Sequence, residues 1–252
     1  MKYIFLALIL CLTCAQGQTT KRESDREHEG FVGPVKRVFE LWSPISGSNY
    51  PAGSRCRSST KVYDEQGRLV QQSYYPGACG RDEIRDDYTY AADGSRTAKS
   101  QEIFSKDSPP PPPPVAAPPG YKAEPGKPRM VFKYNAAGKL IESASVRPSG
   151  TVNYKNTYSY DDKGRLTELT GYDREGQVSD RRVYTYSGDS RVPSTATYYG
   201  RDGKVYDKSV YSDYEFNERG DWVKRKQTRE QTFNRTSVSM IIREIEYYQR
   251  KK

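Results

Sequence analysis

One five-residue phrase returns along this chain and limits what it can become: an aromatic, Asp or Asn, two variable residues, then Gly. It stands at 63–67 (YDEQG), 134–138 (YNAAG), 160–164 (YDDKG), 172–176 (YDREG) and 216–220 (FNERG), with degraded copies at 90–94 (YAADG) and 199–203 (YGRDG). Asp or Asn opening a turn bonds forward to its own backbone, and Gly closing it takes a positive φ without a Cβ clash. This is hairpin chemistry with the glycine in a bulge. The turn glycines are therefore Gly67, Gly94, Gly138, Gly164, Gly176, Gly203 and Gly220. They recur at 12 residues (Gly164 to Gly176) or 27 (Gly67 to Gly94, Gly176 to Gly203), the longer gaps dividing at Gly80 and Gly188. One strand plus one turn takes roughly 12–15 residues, which describes an antiparallel meander.

Alternation within the strands agrees. Tyr88-Thr-Tyr90, Tyr158-Ser-Tyr160 and Tyr184-Thr-Tyr186 put two tyrosines on one face and Thr or Ser on the other. Hydrophobic residues are only 34% of the chain, yet there are 22 Tyr. Tyrosine buries a ring, keeps a polar hydroxyl and suits a half-buried pleated surface. The expected fold is all-β: a meander of about 14 strands between Val35 and Tyr248, forming a curved, Tyr-rich open sheet or partial barrel of hairpin repeats. The last strand, Val238–Tyr248, is the most apolar and is expected at the C-terminal edge.

The rhythm breaks once. Gly94 to Gly138 is 44 residues, and the excess falls on a Pro-rich insert at 107–129 whose prolines lack the amide a ladder needs. A run of prolines forms a stiff polyproline II rod, read here as a surface loop with partner docking as the alternative.

The N-terminus reads MKYIFLALILCLTCAQGQ. Lys2, a short apolar run and Ala15-Gln16-Gly17 describe a signal peptide over 1–17, too short to span a bilayer. Free secretion to the periplasm or beyond is preferred over a lipoprotein anchor on Cys14, because Thr13 precedes that cysteine where a lipobox wants a smaller residue. No stable membrane insertion is expected after cleavage. Residues 18–30 read as a disordered lead-in, 31–248 as the β domain and 249–252 as a basic tail. Cys56 and Cys79 remain, and two cysteines in an exported chain most simply form one disulfide, free thiols being the alternative. The net charge of +9 is scattered among 32 acidic residues, so it reads as a solvated surface and not as a nucleic-acid site.

YDEQGRL, YDDKGRL and YDREGQV at this spacing resemble the YD-repeat (RHS-like) β-repeat proteins of bacteria, and the opening Gly33–Val38 with the closing FNERGDW resembles small exported members of that type. In large members such repeats wind into a shell around a toxin. This chain is too short for that and carries no toxin domain or autoproteolytic motif, so the resemblance implies a scaffold or binding module.

Chemistry is sparse. The single histidine, His28, falls in the polar lead-in and reads as a surface residue, which argues against His-based catalysis and His-rich zinc sites. Ser58 and Lys61 match an S-x-x-K spacing by chance, since a strand and turn follow where a nucleophile needs a helix. Asp161-Asp162 and Asp86-Asp87 are the acidic pairs on which a glycosidase reading would rest. Trp42 and Trp222 are candidate aromatics for stacking on sugar rings. The expectation is a non-catalytic envelope binding or scaffold module without cofactor or metal, its partner an unknown envelope protein or polysaccharide. The alternatives are a carbohydrate- or peptidoglycan-active hydrolase and an accessory piece of a toxin or secretion system.

Overall fold

The computed structural model describes residues 21–47, 51–76, 82–104, 126–232 and 235–249. The signal peptide, Cys14, Cys79, Gly80, most of the Pro-rich insert and residues 250–252 lie outside the described residues. Fourteen antiparallel strands follow in sequence: β1 (Val35–Ser46), β2 (Cys56–Tyr63), β3 (Leu69–Tyr74), β4 (Glu83–Tyr90), β5 (Arg96–Ile103), β6 (Arg129–Tyr134), β7 (Leu140–Val146), β8 (Val152–Tyr160), β9 (Leu166–Tyr172), β10 (Val178–Thr185), β11 (Thr195–Gly200), β12 (Val205–Phe216), β13 (Trp222–Gln231) and β14 (Arg235–Tyr247). The meander is as expected, but the open sheet or partial barrel is not. The sheet is a closed barrel, because β1 pairs with β14 as well as with β2. The seam runs from Val35↔Tyr247 to Ser46↔Val238. The apolar last strand is thus interior to the ladder, and closure leaves neither end strand with an unpaired edge.

The turns show how the phrase works. Gly164 N donates to Asp161 O at 3.0 Å, and Asp161 N donates to Arg165 O at 3.0 Å. Asp161 Oδ1 also accepts the amides of Lys163 and Arg165. Gly164 sits at φ 72°, the left-handed region. The ladder shifts register beside this turn, between Ser159 and Tyr160, the extra residue being the bulge such a turn makes. The copies at Asp64–Gly67, Asn135–Gly138, Asp173–Gly176 and Asn217–Gly220 repeat the same backbone bonds. Gly67, Gly94, Gly138, Gly176, Gly203 and Gly220 also have positive φ.

Three tyrosines that precede turns have a second task. Tyr160 OH donates to Leu140 O at 2.7 Å, Tyr90 OH to Leu69 O at 2.9 Å and Tyr186 OH to Leu166 O at 2.8 Å. Each acceptor is the Leu that opens the second strand of the preceding hairpin, where the bulge has disturbed the ladder. Neighbouring hairpins are thereby laced together at one end of the barrel.

Pairing assigns the faces, since directly opposed residues point the same way. Tyr158 opposes Leu169, which opposes Arg182, which opposes Tyr198, which opposes Asp207. Continuing around, Tyr211 opposes Gln227, Arg225 opposes Ile241, and Ile241 opposes Trp42. This is the lumen face. The other face carries Lys133 against Glu142, Thr89 against Thr97, Glu168 against Val183 and Lys226 against Met240. Its ion pairs include Lys133–Glu142 at 2.7 Å and Arg181–Glu168 at 3.8 Å. A membrane-spanning barrel needs an apolar outer band, and these outward positions do not form one. Among the described residues no helix is long and apolar enough to cross a membrane.

A barrel of eight strands is just filled by side chains, and wider ones leave space. Here part of that space is taken by the segment expected to be disordered. Residues 21–34 cross one mouth as a strap containing a single helical turn, α1 (Asp25–His28), whose Ser24 and Glu27 form a reciprocal capping box. Glu23 N donates to Gly138 O at 2.8 Å and Arg26 N to Gly67 O at 3.0 Å, so the strap is stitched to two of the phrase turns. Asp25 accepts from Leu69 N and Tyr90 OH, Glu29 accepts from Lys61 Nζ, and Asp221 accepts from Val32 N. Phe31 enters an apolar cluster with Val35, Val38, Tyr63 and Leu69. The polar composition of this segment points to disorder, but its charges find fixed partners on the rim.

Candidate functional site

Beneath the strap lies a cavity of about 650 Å³, within the size range of small-ligand sites. Its walls come from strands spread around the barrel, including Tyr160 (β8), Tyr184 (β10), Trp222 and Arg225 (β13) and Arg243 (β14), with Glu23, His28 and Phe31 of the strap forming the roof. The hairpin alternation positions these groups. In β10, Arg182 and Tyr184 fall on one parity and so both face the lumen, and the β13–β14 register brings Arg225 opposite Ile241, two residues from Arg243.

Arg243 packs 3.6 Å over the centre of the Trp222 ring and 5.0 Å over Phe31. Its Nε donates to Glu40 Oε2 at 3.3 Å. Burial pushes the Arg243 pKa below its ordinary value; Glu40 opposes this, and the like charge of Arg225 adds to it. Arg225 lies 4.1 Å over Tyr211 and 4.4 Å over Trp222. The Tyr184 hydroxyl is raised, mainly by burial, with Arg182 opposing. Tyr186 is raised to about 12 by burial and then by Tyr184 and Asp161. These phenols stay neutral near neutral pH and serve as donors and ring faces. The cavity is thus aromatic, cationic and roofed.

His28 belongs to this roof instead of a free surface. Its side chain is 21% exposed, with Nδ1 3.4 Å from Glu23 Oε2 and 3.4 Å from Tyr160 OH, and its ring meets Tyr158 edge-on. Trp222 lines the cavity, whereas Trp42 lines a separate recess of about 330 Å³ with Cys56, Arg57 and Tyr75. The two candidate stacking residues are therefore not brought together. Cys56 is 3% exposed at the start of β2, and its expected partner Cys79 lies outside the described residues. Gly67 and Gly138 do more than turn: a Cβ on Gly138 would meet Lys21 O at 2.3 Å, and one on Gly67 would meet Ser24 Oγ at 2.7 Å.

The acidic pairs are divided by the fold. Asp86 opposes Gln72 on the lumen face while Asp87 opposes Gln71 on the outer face. Asp161 is occupied in its own turn, with its carboxylate on Arg165 Nε at 2.7 Å, and held low because the Arg165 and Lys163 hydrogen bonds outweigh burial. Ser58 sits at the β1–β2 register shift with its hydroxyl on Glu40 O at 3.0 Å, and Lys61 is committed to Glu29. Among the described residues no group of three or more His, Cys, Asp or Glu is placed to hold a metal ion. The lumen arginines are the residues that sequence reasoning misses. Their signal is parity: Arg182 shares its face with Tyr184 and Tyr186.

A family model described as an uncharacterised protein matches residues 123–215, well under half of the chain. No curated protein matches the chain in sequence. Among solved structures, a porin-like protein from Bacteroides uniformis is similar at 12% identity and a TM-score of 0.42, covering 86% of this chain and 99% of that one. A putative outer membrane lipoprotein-sorting protein domain from Vibrio parahaemolyticus is similar at 10% identity and a TM-score of 0.39, covering 90% and 92%. A LolA-superfamily protein from Nitrosomonas europaea is similar at 13% identity and a TM-score of 0.28, covering 90% and 93%. At these scores none carries a function over to this chain. The resemblance to YD-repeat proteins is corrected: the phrase is a turn that any meander can repeat, the family model matching residues 123–215 is that of an uncharacterised protein, and the sheet is a closed barrel in place of a repeat shell.

Proposed function

We propose that this protein is a non-catalytic, exported binding module of the bacterial envelope that holds an organic ligand inside its barrel. The observation that carries the reading is the contrast between the two barrel faces. Outside, Lys, Glu and Thr pair across strands, as on a water-exposed surface. Inside, Tyr160, Tyr184, Trp222 and two arginines surround a roofed cavity. The ligand surface is therefore the lumen, in place of a flat Tyr ladder on an open sheet. Aromatic walls with a few fixed polar groups are what a small-molecule site requires. The dispersal of the acidic pairs supports binding over hydrolysis. The signal-like N-terminus supports an envelope location, with the strap as the link between that terminus and the barrel.

The test is native mass spectrometry of the mature protein, purified without detergent from the envelope fraction of an expressing bacterium. A stoichiometric small-molecule adduct, released when the protein is acid-unfolded, is expected. A clean apo mass from envelope material would count against a lumen carrier.

A further inference from the structure

We propose that the cavity beneath the strap binds an oxyanion, the carboxylate or phosphate of an organic ligand, with Arg225 as its principal partner and Trp222 and Tyr184 against the ligand body. This rests on the lumen reading above and names the chemistry of its ligand.

The charges of the cavity carry the inference. Four of the six Lys and Arg side chains that line it are matched by carboxylates. Arg243 has Glu40 at 3.3 Å, Lys139 has Glu23 at 2.7 Å, Arg165 has Asp161 at 2.7 Å, and Lys163 has Asp189. Arg225 has no carboxylate partner among the described residues, and its Nε is buried with no hydrogen-bond acceptor. Two ring faces hold it instead, Tyr211 and Trp222, and its guanidinium hydrogen-bonds the neutral Tyr214 hydroxyl. Ring stacking covers the faces of a guanidinium, and a neutral hydroxyl on one of its five N–H donors leaves other in-plane donors for a forked contact with an oxyanion.

The carboxylates that line the same cavity are engaged by other groups. Glu23 is held by His28 and Lys139, Glu27 by Lys21 and the Ser24 cap, and Glu29 by Lys61. A half-buried cation beside a second guanidinium is costly unless an anion joins it. The strap carboxylates do not, so the complementary charge comes with the ligand. Arg191, which also lines the cavity and donates to the Gly220 carbonyl at 3.4 Å, adds a second positive group without a carboxylate partner among the described residues.

The experiment titrates the mature protein with sodium decanoate, decanol and inorganic phosphate, read by tryptophan fluorescence and calorimetry. Decanoate is expected to saturate one site and decanol to bind about tenfold more weakly or worse, the difference a lost charge-assisted contact makes. Arg225→Gln is expected to bring decanoate down to the level of decanol, Arg225→Lys to retain part of the preference, and Arg181→Gln on the outer face to change nothing. Competition by phosphate would support the site with a free oxyanion as its source, and no competition would support it with an anionic amphiphile as its source. Failure of both decanoate and phosphate to bind overturns the proposal. Equal binding of decanoate and decanol, or an unchanged preference in a folded Arg225→Gln, overturns the oxyanion site while leaving a lumen carrier standing. If Arg225→Gln does not fold, the decanoate–decanol comparison on the parent decides. An empty native mass from envelope material beside Arg225-dependent decanoate binding would refute the carrier and uphold the site.

Discussion

The hydroxyl of Tyr160 donates to the main-chain carbonyl of Leu140, 2.7 Å away in the preceding hairpin. The bulge beside the β6–β7 turn disturbs the ladder there, between Lys133 and Tyr134, and a tyrosine from the next hairpin supplies a donor. Tyr160→Phe keeps the ring and removes the donor. It should destabilise the protein by about 1 kcal/mol, the worth of a hydrogen bond whose acceptor is partly shielded from water. Tyr186→Phe should cost a similar amount through Leu166. Tyr199→Phe, on the outer face opposite Arg181, should cost little. Urea unfolding of the three variants checks this; equal losses at all three would mean the lacing adds nothing.

Two turn glycines separate backbone strain from strap docking. Gly164 has φ 72°, and a Cβ there would meet only Lys139 Cε at 3.6 Å. Gly164→Ala should therefore cost about 1 kcal/mol from the left-handed backbone alone, and Gly164→Val about 1–2. Gly138→Ala adds a collision with Lys21 O at 2.3 Å. It should cost more and release the strap. Limited proteolysis of residues 21–30 should be faster in Gly138→Ala and unchanged in Gly164→Ala.

Acid should loosen the strap before the barrel. Burial pulls Glu27 upward, but hydrogen bonds from Lys21 and from Ser24 outweigh it and set its pKa at about 2. Glu23 is likewise lowered, His28 and Lys139 outweighing its burial. Both groups are depressed on folding from an unfolded value of about 4.3. Their contribution is therefore complete above that value and is lost as the pH falls toward about 2. Hydrogen exchange at the amides of Glu23 and Arg26 should accelerate between about pH 4.5 and 2 while β8 and β9 amides remain protected. Uniform exposure of both regions would show that the strap is not a separate unit.

The Cys56–Cys79 disulfide remains a proposal. It would close a loop of about 23 residues and stabilise the chain by roughly 3 kcal/mol on the chain-entropy argument. Peptide mapping of non-reduced protein should find the two cysteines in one cross-linked fragment. Two alkylated thiols without reductant would exclude it.

What the residues determined unaided was local. A phrase ending in Gly fixes a turn and a bulge because only glycine takes that backbone without strain, and Tyr-x-Tyr fixes which side chains share a face because strand parity has a period of two. Strand number and order followed from those two facts. Closure did not: whether β14 meets β1 depends on twist and stagger accumulated around the whole sheet, and no short stretch encodes it. Nor did the strap. Glu23, Asp25 and Glu29 read as solvated charges, and only the assembled rim, with Lys139, Leu69 N and Lys61 in place, gives them partners. The cavity belongs to the same class. Trp222 was legible as an aromatic and Arg225 as one more surface cation, but parity without closure cannot distinguish lumen from exterior. Closing the barrel turned a scattered positive charge into a guanidinium stacked on two rings, with no carboxylate partner among the described residues.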